Sequence, residues 1–170
     1  MKLASFNPSF LLESVEGGER LARYSFIGFG DSLELKLDAS GLRLGVEKLT
    51  APGNRAELLA AMRHALARAP RPAALGRTDF PLAGGLVGYS SYDAVRWFER
   101  LPSKAANPNP VPDMHYAAPK SLLVFDHLTR GIALLHDGSE AERQSLRREV
   151  IAALRGPLPV LAAPGAYAPA

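Results

Sequence analysis

Residues 9–30 read SFLLESVEGGERLARYSFIGFG. Two apolar, strand-like runs, FLLES and RYSFIGF, flank a polar stretch that carries a Gly-Gly pair. The first run ends in Glu13-Ser14 and the second opens with Arg23-Tyr24-Ser25. Two paired strands would bring a carboxylate, hydroxyls and a guanidinium together at their ends. The residues alone also fit a purely structural role. Leu11, Leu12, Phe26 and Ile27 can be core, Glu13 and Arg23 a cross-strand ion pair, and Gly17-Gly18 a turn. Apolar strands with polar ends are common, so composition by itself favours the structural role.

Other catalytic constellations are weak. Gly84, Gly85 and Gly88 do not make the phosphate-cradling G-x-G-x-x-G pattern, and no P-loop lysine-serine pair is present. These glycines read as sites of close backbone packing. The histidines, His64, His115, His127 and His136, are spread widely, and none has a helical metal partner three or four residues away. His127 and His136 bracket a hairpin, each beside an aspartate (Asp126 and Asp137), a placement that suits turn-flanking hydrogen bonds. No serine has a base or an oxyanion hole implied in its local sequence. Read alone, the chain carries no catalytic set and no metal set.

The 170 residues suffice for one substantial domain with an apolar core. A formal charge of +3 is mild, and the basic residues are scattered apart from Arg147-Arg148, so no nucleic-acid-binding face is expected. The absence of cysteine excludes disulfides and thiolate metal sites. Apolar runs such as LLVF and IALL fall far short of the roughly 20 residues that a spanning helix needs. The start, MKLASFNPSF, lacks an apolar signal-peptide core. Together these features predict a soluble, cytoplasmic domain without a membrane segment.

The elements that must position the polar cluster follow from periodicity. In SLELKLD, Leu33, Leu35 and Leu37 alternate with Glu34, Lys36 and Asp38, and LRLGVEKL returns with Leu42, Leu44 and Val46. That pattern predicts a hairpin turning at 39–41. Asn54 can cap a helix whose apolar positions are Leu58, Leu59, Met62 and Leu66, ended by Pro70 and Pro72. GGLVGY predicts a short strand, and SYDAVRWFERL a helix with Val95, Phe98 and Leu101 on one face. SKAANPNPVPD reads as a connector. KSLLVFDH and RGIALLHD, joined at Leu128-Thr129, predict a second hairpin, and Ser139 caps a final helix ending at Gly156. The expected fold is a single α+β domain over 1–170, an antiparallel sheet built from hairpins with helices outside, and a tail at 157–170.

Three blocks, SFLLESVEGGERLARYSFIGF, GGLVGYSSYDAVRWFERLP and PDMHYAAPKSLLVFDH, resemble in order the N-terminal region of anthranilate synthase component I. The resemblance covers much of 9–127 and points to the chorismate-using synthase group. The LLES block and its RYSFIG partner favour the anthranilate branch over the aminodeoxychorismate branch, where a similar pocket holds tryptophan structurally. The resemblance implies a longer protein whose C-terminal half carries the chorismate and magnesium sites, with Ala170 falling roughly where that half begins. The chain then looks like a non-catalytic piece, truncated at both ends, with no cofactor of its own. The glutaminase subunit is the partner implied for the intact enzyme. A non-catalytic protein-interaction domain using the 139–155 helix remains the reading from another class.

The same resemblance gives the polar cluster a purpose. In these synthases the LLES segment forms part of the allosteric pocket for L-tryptophan. The zwitterion needs an apolar slot for its indole, an acceptor for its ammonium and donors for its carboxylate. The family pattern assigns Leu12 to the slot, Glu13 to the ammonium or to the neighbouring strand, and the Ser14 hydroxyl to either group. Arg23 is assigned to the carboxylate, with Tyr24 and Ser25 closing the wall and Asp31 as an outer neighbour.

Overall fold

The computed structural model describes residues 2–13, 23–73, 80–102 and 111–158. After a short 3-10 helix at Ala4–Phe6 come β1 (Phe10–Leu12), β2 (Tyr24–Asp38), β3 (Gly41–Leu44), β4 (Glu47–Leu49) and α1 (Arg55–Arg68). They are followed by β5 (Val87–Ser90), a 3-10 helix at Tyr92–Trp97, β6 (Met114–Asp126), β7 (Gly131–His136) and α2 (Glu140–Arg155). All strands are antiparallel and form one sheet, so the expected α+β class with outer helices is the one observed.

Two long strands, β2 and β6, make the spine. At one end their outer edges are taken by β1 and β7, and at the other by β3 with β4 and by β5. RYSFIGF and SLELKLD, read from sequence as separate runs, are therefore halves of one strand. Between Phe29↔Ser121 and Ser32↔Pro119, the pair Gly30-Asp31 faces the single residue Lys120, a β-bulge, with Gly30 at φ 78°. The bulge reverses which residues of β2 face which way. Ile27 and Phe29 join one core with Leu123, whereas Leu35 and Leu37 join another with Met114.

Three apolar clusters result. Leu3, Ile27, Phe29, Leu123, Leu134 and Val150 pack between the sheet and α2. On the other face of the same strands, Leu122, Val124 and Leu135 pack beneath Phe80, with Phe10, Tyr24 and Phe26 alongside. The far half of the sheet buries Leu35, Leu37, Leu42, Leu44 and Met114 against Leu58 and Ala65 of α1. Each fully buried leucine contributes about 1.5–3 kcal/mol relative to exposure.

Both predicted caps form. Asn54 accepts from the Glu57 amide at 3.0 Å, and Ser139 with Glu142 makes a reciprocal capping box. Three expectations are corrected. Val46 is fully exposed, because Gly45 (φ 58°) turns the chain before it and splits LRLGVEKL into β3 and β4. In α1 the buried partner of Leu58 is Ala65, not Leu66, which lies ~100° further round the helix and faces solvent. The segment after β5 closes as a six-residue 3-10 helix that buries Ala94, leaving Phe98 and Leu101 exposed. Gly88 has the close-packing role expected of it: a Cβ there would stand 2.6 Å from the Tyr116 Cα on β6.

Candidate functional site

β1 is held on β2 through Phe10↔Gly28, Leu11↔Ile27 and Leu12↔Phe26. The fit of Phe10 depends on Gly28 having no side chain, since a Cβ there would lie 2.6 Å from the Phe10 Cζ and 2.7 Å from the Pro119 Cγ. Directly opposite residues share a face and alternate residues swap faces, so Leu12, Phe26 and Tyr24 line one side of the sheet. Leu11 and Ser25 line the other. Leu12 stays 41% exposed at the sheet margin, and Glu13 beyond it is exposed. Ser14 lies outside the described residues.

The Arg23 guanidinium reaches onto the Tyr24 side. It forks onto the Asp126 carboxylate, Nε to Oδ1 at 3.1 Å and Nη2 to Oδ2 at 2.8 Å, and stacks 4.8 Å from the Tyr24 ring centroid. The register Tyr24↔Asp126 makes this possible. Asp126 is only 3% exposed and also accepts from the Leu128 and Thr129 amides in the β6–β7 turn. The Arg23 hydrogen bonds, helped by those from Thr129, hold its carboxyl well below the usual carboxylate range against the opposing effect of burial. The Tyr24 and Phe26 rings lie 6.1 Å apart, so an aromatic wall continues from the guanidinium toward the core.

Ser25 is buried, at 4% exposure, and its Oγ lies 2.7 Å from His127 Nε2. That pair stands on the α2 side of the sheet, away from Leu12 and Tyr24. Asp31 sits in the bulge, ~20 Å along the strand from Tyr24. The structure thus groups Leu12, Arg23 and Tyr24, sets Ser25 behind them and separates Asp31. Asp126 and His127 are the members that sequence reasoning did not place here. The sequence pattern places both with the hairpin turn. His136 lies at the far end of that hairpin, its Nδ1 2.9 Å from Ser121 Oγ. The signal for Asp126 was the buried acid at a strand end, but its partner is 103 residues away in sequence.

A cation fixed beside an aromatic wall and a half-open leucine suits an anion with a flat apolar body. Two of the five guanidinium N–H donors go to Asp126, and this fork fixes the plane of the guanidinium. Among the described residues no three His, Cys, Asp or Glu side chains gather as a metal site, and no helix is long and apolar enough to cross a membrane.

An α+β domain on a two-strand antiparallel spine has a solved counterpart. Anthranilate synthase component I from Streptococcus pneumoniae superposes with a TM-score of 0.63 over 87% of this chain and 32% of that one, at 22% identity, a likeness of fold. Residues 7–164 match the family model described as chorismate binding enzyme, and the chain belongs to that family. Its curated relatives include anthranilate synthase component 1 from Thermus thermophilus, 37% identical over 94% of this chain and 33% of the relative. The same component from Pseudomonas aeruginosa is 36% identical over 93% of this chain and 34% of the relative. The chain therefore spans about a third of the length of these relatives.

Proposed function

We propose that this chain is the N-terminal, L-tryptophan-binding regulatory portion of an anthranilate synthase component I. Such an enzyme converts chorismate, with ammonia delivered from glutamine by a glutaminase subunit (component II), into anthranilate and pyruvate in the cytoplasm. The observation that carries the assignment is the 37% identity to a component 1 across 94% of the chain. The grouping of Leu12, Arg23 and Tyr24 supports the effector part of the reading. The indole would lie along Tyr24 and Phe26 against Leu12, and the carboxylate would take guanidinium donors of Arg23 oriented by Asp126. Glu13 and Ser14 follow Leu12 in sequence and would complete the amino-acid recognition, with Ser25 supporting the wall from behind.

By the family resemblance, chorismate and magnesium would be handled by the remaining two thirds of such a synthase. The chain by itself is then expected to bind effector without turnover. Allostery requires differential binding between two states of the whole enzyme.

Titration of the chain with L-tryptophan, followed by calorimetry and by amide NMR, tests this. Expected is weak binding, on the order of 1 mM for a small ligand whose second wall is missing. Shifts should centre on Leu12, Glu13 and Tyr24, and Ser14→Phe should abolish them. No saturable shift at these amides would overturn the effector reading. Micromolar binding would overturn the claim that a further wall is needed.

A further inference from the structure

A cleft of about 290 Å³ opens between α2 and the outer edge of β7, on the α2 side of the sheet. Its floor is Leu123 and Leu134, and its walls are Ile132, Ile151 and Leu154. Ile132 is 53% exposed, so the apolar wall is open to solvent rather than closed by packing. Arg143, Arg147, Ile151 and Leu154 fall at successive turns of α2, which places two guanidinium groups at one end of an otherwise apolar trough.

The two arginines differ. Arg143 is clamped on Glu140, with Nε to Oε2 at 2.9 Å and Nη2 to Oε1 at 2.7 Å. Arg147 is exposed, and among the described residues it forms no ion pair. A cation that forms no ion pair among the described residues, set over an apolar trough, is complementary to one kind of molecule: an anion at one end, an uncharged apolar body at the other. The volume sits at the small end of the usual ~300–1,000 Å³ range, enough for one ring or a short acyl chain.

We infer that this cleft binds small apolar carboxylates, with the carboxylate on Arg147 and the apolar body between Ile132 and Ile151. Leu12, Arg23 and Tyr24 do not line it, although Phe80, which packs in the same apolar cluster as Tyr24, does, and no part of it requires an ammonium group.

The probe is 3-phenylpropanoate, titrated into the whole chain at pH 7 and followed by amide NMR, with neutral 3-phenylpropanamide as the comparison. Expected is saturable binding on the order of 1 mM, with shifts that include 132–134 and 143–154. The amide should bind about tenfold more weakly, because it lacks the charge-assisted bond. Arg147→Gln, at an exposed position that forms no ion pair among the described residues, should lower carboxylate affinity to that of the amide and leave the amide unchanged. Equal affinity for the two probes at the cleft amides, carboxylate binding there that survives Arg147→Gln, or no saturable shift at these amides would each overturn the inference. Because the probe lacks an ammonium, failure here leaves the tryptophan reading standing, and the converse also holds.

Discussion

Replacing Gly28 by alanine isolates the contact on which β1, and with it the candidate effector site, depends. The new Cβ would stand 2.6 Å from the Phe10 Cζ and 2.7 Å from the Pro119 Cγ, where carbon pairs rest at about 3.5–4.0 Å. Phe10 would have to move by ~1 Å, an overpacking that costs about 1–3 kcal/mol. Against this, β1 contributes three cross-strand pairs at about 0.2–1 kcal/mol each. The two quantities are comparable, so the expected outcome is release of β1, which relieves the Phe10 contact, while the Pro119 ring on β6 gives way locally. Equilibrium urea unfolding should show a lower midpoint, and hydrogen exchange should rise over Phe10–Leu12 while Leu122–Val124 stay protected. Tryptophan-induced shifts at Leu12 should vanish together with that protection. Adding Phe10→Ala removes the obstructing ring, so the double variant should lose less than the sum of the two single ones. An unchanged midpoint with full protection of β1 would refute the reasoning.

Asp126→Asn should lower the urea midpoint at pH 7, because the Arg23 fork and the turn amides favour the ionised form. The folded pKa lies below the unfolded value of about 3.9, so this stabilisation is present above the unfolded value and fades as pH falls toward the folded one. The gap between wild type and variant should therefore shrink between pH 5 and pH 3 in urea melts at each pH, and a pH-independent gap would contradict the assignment. Ser139→Ala, which removes the acceptor for the Glu142 amide at 3.2 Å, should cost about 1 kcal/mol by the same melts. Its effect should be local to α2, with Arg143 exchange rising first.

Much of the architecture was legible because short-range rules settle it. Asn54 and Ser139 cap helices through bonds to residues three positions on, and Leu33, Leu35 and Leu37 alternate as a half-buried strand must. What escaped depends on distant partners. The pattern of apolar residues alone cannot show that Gly30-Asp31 is a bulge inside one strand rather than a turn between two. Only the pairing with β6 distinguishes them. Ala65 outcompetes Leu66 for the core of α1 because helix rotation, not residue size, decides which side chain faces β2. At the candidate site, Glu13 and Arg23 suggest a local ion pair, yet Arg23 forks onto Asp126 across a register that closes 103 residues of chain.

The extra residue at Gly30-Asp31 makes chain length there a matter of odd and even. Removing one residue between Phe29 and Ser32 would leave a single residue opposite Lys120, an unbroken ladder in which Leu33, Leu35 and Leu37 keep their β6 partners and their side of the sheet. Removing both would turn Leu33, Leu35 and Leu37 outward and drive Glu34 and Lys36 into the packing beneath α1. At this point the chain thus tolerates the loss of one residue but not of two, a constraint on length rather than on the identity of the residues themselves.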